Sequence, residues 1–369
     1  MKHVGEKQKS SRFYADWAAT TPLCQRAKDA MLKAMEVTGN PSSVHTDGQQ
    51  ARALVEKART QVAALINAEP SEIYFTSGAT EANVWALKGF SFPLVSAIEH
   101  KSVLGRPGRF PRTLPVNQDG LVYFDRWRSL AQGSPTICSV MAVNNETGVI
   151  QDVESLCKEA HERNMWFHTD ATQAVGHIPV DVKKWGCDML SMSAHKFGGP
   201  KGVGALFIRD GFSLPPVLYG GGQEGGLRAG TENVIGIAGM GAAAEFYKAK
   251  ADQLSNYMEL LTERITEKVL SSGGALLAGE NAPRSPSICD FLLEGVEGPA
   301  LVLALDKRNV SASSGSACSE GVYGPSHVLK AMGMEGYGSL RVSIGWSTTV
   351  EEADYIAEAI IESVKELRA

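Results

Sequence analysis

Apolar positions recur at helical spacing over residues 50–67, where Ala51, Leu54, Val55, Ala58, Val62, Leu65 and Ile66 share one face. A short β-prone run, Ile73-Tyr74-Phe75, follows and predicts a strand. It meets turn and capping chemistry at Thr76-Ser77-Gly78-Ala79-Thr80-Glu81, ahead of a second helical stretch over 84–90. The rhythm then repeats: strand 137–143, loop 144–148, helix 153–163, and strands 166–170, 188–193 and 202–209. Strands alternating with helices predict a mostly parallel sheet covered on both faces, with ligands held beyond the carboxyl ends of its strands. A long helical pattern over 233–270, broken by Ser271-Ser272-Gly273-Gly274, carries the expected domain boundary. Beyond it, strand 288–293, helix 299–307, a Ser/Gly-rich loop 311–324, strand 340–344 and helix 350–367 predict a smaller α+β unit. The expected division gives the large domain residues 17–250 and the small one residues 1–16 and 251–369.

Composition narrows the partners. The chain has 369 residues, enough for two cores, and 36 basic against 41 acidic side chains give a net charge of -5 with no cationic block. Nucleic acid and anionic membranes are therefore not expected partners. The polar N-terminal stretch lacks a following apolar segment, and no run approaches the ~18 apolar residues of a spanning helix. The expected compartment is the cytoplasm. The 6 cysteines form no C-x-x-C pair, which argues against a disulfide framework and against a metal site. Cys138 and Cys289 sit in apolar runs and read as small buried hydrophobes, whereas Cys318 lies among serines and glycines.

Several positions carry candidate chemistry. Lys196 ends Ser193-Ala194-His195-Lys196, where an apolar strand gives way to a Gly-Gly-Pro loop. It reads either as a solvated loop lysine or as a Schiff-base lysine whose pKa is lowered by burial. The same tetrad spells the S-x-x-K of acyl-serine enzymes, but the Ser-Asp-Asn and Lys-Thr-Gly triplets that accompany it are absent. Thr76 to Thr80 could cradle a phosphate on a helix N-terminus or simply cap that helix. Gly220 to Gly225 match G-x-G-x-x-G, yet a second glycine-rich turn follows in place of a helix, which disfavours a nicotinamide cofactor. Asp170 ends a strand and either aims a carboxylate into the cleft or caps a turn. His100, after Ser96-Ala97-Ile98-Glu99, reads as a histidine at a strand end.

Taken together, Tyr14 to Pro22, Thr76-Ser77-Gly78-Ala79-Thr80-Glu81, Glu99-His100, Asn144-Asn145-Glu146-Thr147-Gly148, His168-Thr169-Asp170-Ala171-Thr172-Gln173, Ser193-Ala194-His195-Lys196, Arg228-Ala229-Gly230-Thr231 and Ser313-Ser314-Gly315-Ser316-Ala317-Cys318 resemble, in order and spacing, the NifS/IscS-type cysteine desulfurases. These are pyridoxal phosphate (PLP) enzymes of the class V aminotransferase group. The resemblance implies an aspartate-aminotransferase-like α/β fold: a large PLP-binding domain on a mostly parallel sheet and a smaller α+β domain carrying the loop of the catalytic cysteine. It implies that Lys196 carries the cofactor, that Asp170 pairs with the ring nitrogen, and that His100 stacks on the ring and takes part in catalysis. Gln173 and Asn145 would contact the cofactor, with Ala79, Thr80, Ser193 and His195 around the phosphate. Thr231 would serve the neighbouring subunit's phosphate, which implies a homodimer. Arg341, aided by Asn145, would bind the carboxylate of L-cysteine. Cys318 would take the sulfur as a persulfide, leaving alanine, for an iron–sulfur scaffold or a thiolation relay.

Two departures accompany the resemblance. Gly225 stands where many relatives carry Arg after Gly-Gly-Gly-x-Glu, and the chain ends at Ala369 just past the last expected helix, which leaves scaffold docking open. The stretch 90–105 is compressed relative to the family. The alternative reading is a selenocysteine lyase or another class V enzyme, which shares Lys196 and Asp170 without needing a loop thiol. A non-catalytic PLP-fold subunit is a third, set against the joint presence of Lys196, Asp170, Arg341 and Cys318.

Overall fold

The computed structural model describes residues 12–105, 111–123, 136–315 and 326–369. Its main sheet has seven strands in the spatial order Ile73–Thr76, Gly204–Ile208, Met189–Ser193, Trp166–Asp170, Ile137–Ser139, Leu94–Ser96 and Arg112–Leu114. From Met189–Ser193 outward to Arg112–Leu114 every pairing is parallel, as the alternation of strands and helices predicts. Gly204–Ile208 runs antiparallel to both its neighbours. The connection over 194–203 is too short for the crossover of a dozen or more residues that a parallel return needs.

Helices Gln25–Met35, Thr46–Leu65 and Val234–Ser271 cover one face. They approach closely because the long helix presents glycine: a Cβ on Gly241 would lie 2.6 Å from Ala58 Cα. Helix Ala79–Lys88 packs on the other face through Trp85, Ala86 and Leu87, all fully buried.

A second core lies around a three-stranded antiparallel sheet of Ala275–Leu277, Ile288–Leu293 and Gly338–Ser343. The helix Val234–Ser271 joins the two cores. Ile237, Met240 and Met258 pack in the first, and Leu261, Ile265 and Val269 in the second. Helix Val350–Arg368 closes the second core and opens on a capping box, with Thr349 Oγ1 accepting from Glu352 N–H at 3.2 Å and Glu352 Oε2 from Thr349 N–H at 2.9 Å. The N-terminal strand Phe13–Tyr14 pairs in parallel with Val310–Ser311, which puts Ala15 in the second core and Asp16 beside Ser343. The carboxyl ends of the central strands therefore open toward the second core, and Arg341 reaches that opening from its sheet. Among the described residues no helix is long and apolar enough to cross a membrane.

Candidate active site

The strand Trp166–Asp170 is buried over its last four residues and delivers Asp170 to the opening. Asp170 is 4% exposed; its Oδ1 accepts from Thr172 N–H at 2.9 Å and its Oδ2 from Asn83 Nδ2 at 2.7 Å. The next strand, Met189–Ser193, runs into a 3-10 turn, Ala194–Lys196. That turn is tied on both sides. Thr21 donates its N–H and its hydroxyl to His195 O at 2.8 and 3.0 Å, and His177 Nε2 donates to Lys196 O at 3.0 Å. His177 Nδ1 meets Ser287 Oγ at 3.2 Å, so the backbone of Lys196 is linked to the second sheet's side of the molecule. The amine of Lys196 points into the opening, donating to Ala18 O and, at 3.0 Å, to Ala19 O. Gln173 Nε2 donates to the same Ala18 O at 2.8 Å.

Opposite, the helix Ala79–Lys88 begins straight after Gly78 with no side-chain cap, five residues before the helical stretch expected from residue 84. Thr76 Oγ1 is spent on Gly78 O at 3.0 Å, and Glu81 Oε2 turns back to Ser77 N–H at 2.8 Å while its other oxygen takes Arg228 Nε at 2.8 Å. The first N–H groups of the helix are thus not taken by a capping side chain. Gly204 lets the neighbouring strand press against this turn, since a Cβ there would lie 2.7 Å from Gly78 Cα.

His100 sits at the N-cap of a short helix, Lys101–Leu104, and not at the end of the strand Leu94–Ser96. Burial holds its pKa below the ordinary histidine value; Asp170 opposes that shift, and Lys196, His327 and Lys101 reinforce it. Burial likewise pushes His195 down to about 4, helped by Lys196 and Lys201. Arg341 is 2% exposed, with Nη2 on Asp16 Oδ1 and Nη1 on Asn145 O, each at 2.8 Å, and Nε without a partner among the described residues. Its main chain exchanges hydrogen bonds with Ser313 at 2.7 and 3.2 Å.

These groups share one cavity of about 600 Å³. Ala79, Thr80, His100, Asn145, Asp170, Gln173, Ser193, His195, Lys196 and Arg341 all line it. Thr231 does not; it is exposed on the loop after Arg228. Cys318 lies outside the described residues. The other five cysteines are buried, and burial drives their thiols upward, Cys157 and Cys289 to about 12. Asn83, Thr172, Lys201 and the carbonyls of Ala18 and Ala19 also face or bound the cavity, although the motifs gave them no role. Among the described residues no group of His, Cys, Asp and Glu could hold a metal ion.

The family model described as Aminotransferase class-V matches residues 13–356. The chain belongs to that family. It is similar to the cysteine desulfurase IscS of Methanosarcina thermophila, 40% identical over 373 residues, which cover 96% of this chain and 92% of the relative. The X-ray structure of a NifS-like protein from Rickettsia africae superposes with a TM-score of 0.89 at 32% identity, covering 97% of this chain and 99% of the other. A structure described as SspA in complex with cysteine gives a TM-score of 0.79, 32% identity and coverage of 90% and 99%. The fold is thus the α/β architecture of the NifS-like enzymes, in the cysteine desulfurase branch of the class V aminotransferases, and the enzyme is PLP-dependent.

The residues present fit that cofactor. A carboxylate stands ready for a cationic ring nitrogen, an amine for the aldehyde, and uncapped helix N–H groups with the hydroxyls of Thr80 and Ser193 for a phosphate. Two buried polar atoms beside the cavity, Asn83 Oδ1 and Thr172 Oγ1, have no partner among the described residues. The departure at Gly225 has a local use in this class V chain. Glu224 and Gly225 adopt positive φ of 49° and 65°, the turn that seats the buried Glu224 carboxylate on Arg59 at 2.8 and 2.9 Å.

Three buried carboxyl groups surround the site, and burial pushes Glu99 up to about 8 and Glu146 and Asp290 to about 7. Glu99 Oε1 accepts from Ser96 Oγ at 2.5 Å and Met141 N–H at 2.6 Å, which oppose the rise, and the charge of Asp170 adds to it. A folded-state pKa raised above the unfolded value contributes stability that is fully present below the unfolded value, 4.5, and is lost as pH rises through 8. Stability is accordingly expected to fall across this window. Glu99→Gln, neutral at every pH, is expected to flatten the slope by up to about 1.4 kcal/mol per pH unit. Denaturant melts at several pH values check this, and equal slopes for parent and variant would contradict it.

Proposed function

We propose that the protein takes sulfur from L-cysteine, releases L-alanine, and holds the sulfur as a persulfide on Cys318 for an acceptor protein. The observation that carries the reading is the convergence of the Lys196 amine, the Asp170 carboxylate and the Arg341 guanidinium on one cavity, in a chain of the cysteine desulfurase family. Its cofactor, when bound, supplies an electron sink for the pair left at Cα when a proton is removed.

The chain's own residues do the rest. Asp170, whose oxygens are oriented by Thr172 N–H and Asn83 Nδ2, would hold the ring nitrogen, and Ala79, Thr80, Ser193 and His195 would hold the phosphate. Arg341 binds the substrate carboxylate by exchanging or sharing its bond with Asp16, a charge-assisted fork that fixes the amino acid's orientation. Lys196 Nζ, steered by the carbonyls of Ala18 and Ala19, takes the Cα proton and later returns one. The Cys318 thiolate attacks the substrate sulfur: the C–S bond breaks, an S–S bond forms, and a proton replaces sulfur on the departing alanine. Cysteine and a protein thiol thereby become alanine and a protein persulfide.

The exposed position of Thr231, outside its own chain's cavity, supports a homodimer in which this residue serves the neighbouring subunit's phosphate site. A cytoplasmic location and an iron–sulfur scaffold or thiolation relay as acceptor complete the proposal. The test is direct. The PLP-loaded protein with L-cysteine and excess dithiothreitol is expected to release one L-alanine per sulfide; sulfide without alanine, or neither, would sink the reading.

A further inference from the structure

Asn83 is fully buried, yet no motif assigns it a task. It sits one turn beyond Thr80 on the helix Ala79–Lys88, and its Nδ2 donates both to Asp170 Oδ2 at 2.7 Å and to Ser102 Oγ at 2.9 Å. A primary amide nitrogen has two hydrogens, so both are committed. Ser102 Oγ, having accepted one, keeps its own hydrogen and lies 2.8 Å from His100 Nδ1. The same ring nitrogen faces the main-chain N–H of Ser102 at 3.1 Å. A main-chain N–H can only donate, so Nδ1 carries a lone pair. The proton of the neutral ring is then on Nε2.

We infer that Asn83 and Ser102 are positioning residues that hold His100 as the neutral Nε2–H tautomer and couple that tautomer to the orientation of Asp170. The inference rests on the proposed role of Asp170 and on the role that the family resemblance implies for His100. The described groups facing the ring agree with a neutral state: burial disfavours its charge, as do Lys196, His327 and Lys101, and among the described residues only Asp170 opposes them. The consequence is a division of labour. A neutral imidazole with Nε2–H offers the cavity a hydrogen-bond donor and no basic nitrogen, since Nδ1 is taken by Ser102. Lys196 is then left as the base. A relay of this kind also explains why a wholly buried amide is kept with one atom, Oδ1, without a partner among the described residues: its hydrogens are the useful part.

The test reads the ring itself. In holoenzyme labelled with ¹⁵N-histidine, long-range ¹H–¹⁵N spectra, with His100 signals identified by their loss in His100→Gln, are expected to show an Nε2-protonated neutral ring at pH 7. In Asn83→Ala and Ser102→Ala, where the main-chain N–H of Ser102 at 3.1 Å is left to hold Nδ1 without a positioned hydroxyl, a share of the Nδ1-protonated form is expected beside the Nε2-protonated one, together with a kcat about tenfold lower and a KM for L-cysteine within about twofold of parent. Ser102→Thr, which keeps the hydroxyl, is expected to restore both readouts. Ser102 is only half-buried, so this pair of variants stands even where Asn83→Ala fails to fold. An Nδ1-protonated or cationic His100 in the parent, or unchanged His100 spectra in the folded variants, overturns the inference. A protein that shows the expected spectra yet releases no alanine upholds it and refutes the proposed activity.

Discussion

Lys196→Ala is expected to leave a folded protein whose alanine formation has fallen about 10⁴-fold or more, because in the proposed function one amine would serve as the anchor for the cofactor and as the base at Cα. Folding should survive. The turn Ala194–Lys196 is held through main-chain groups: His195 O by Thr21, and Lys196 O by His177. Of the two carbonyls the amine meets, Ala18 O keeps Gln173 Nε2 at 2.8 Å and Ala19 O faces a cavity where water can replace the lost donor. Lys196→Arg is expected to be equally inactive, since a guanidinium stays protonated and is not a nucleophile. After borohydride reduction and denaturation, the parent should keep the cofactor's absorbance on the polypeptide and both variants should lose it. A stable adduct in Lys196→Ala, or turnover above about 1% of parent, would contradict the assignment.

The strands that the hydrophobic pattern makes visible are those buried on both faces. Trp166–Asp170 falls where the sequence predicts it, and Met189–Ser193 within a residue. Leu94–Ser96 and Arg112–Leu114 have three residues each, too few to display any period. The reversed direction of Gly204–Ile208 leaves no trace in its own composition, since a strand covered on both faces is apolar whichever way it runs. Helix Ala79–Lys88 begins at Ala79, inside the stretch whose turn and capping chemistry predicts a helix start, because Gly78 is its N-cap and no side-chain cap is made, whereas the apolar period shows only from residue 84.

The site divides along similar lines. The candidate side chains are legible as a set, and ten of the twelve meet in one cavity. The carbonyls of Ala18 and Ala19, which steer the lysine, have no signature because every residue has a carbonyl. Asn83 acquires its meaning only when helix and strand bring it to Asp170 across 87 positions of sequence. Glu99 and Glu146 lie inside recognised motifs, yet their raised pKa values arise first from burial, with the neighbouring charges of Asp170 and Asp290 adding to it, and so belong to the folded state.

Cys318→Ala is expected to bind PLP and L-cysteine as the parent does and to release less than about 1% of the sulfide and alanine, given that a positioned nucleophile is worth several orders of magnitude. No described thiol can stand in for it. Cys24, Cys138, Cys157, Cys187 and Cys289 are all buried, with burial raising each thiol and so suppressing the thiolate that would attack sulfur. The residues on either side of 316–325 are fixed beside the Arg341 end of the cavity. Ser313 is bonded to the main chain of Arg341, Gly315 N–H to Ser339 Oγ at 3.4 Å, and the Ser326 hydroxyl to Glu146. Arg341 would hold the substrate by its carboxylate. Spectra of the cofactor on adding L-cysteine, with mass spectrometry for a persulfide after one turnover, separate the two halves of the reaction: the variant should give the spectral change of binding and proton removal, and no persulfide. Parental sulfide release by Cys318→Ala would mean that the site expels sulfur without a protein thiol, and the assignment of Cys318 would fall while that of Lys196 stood.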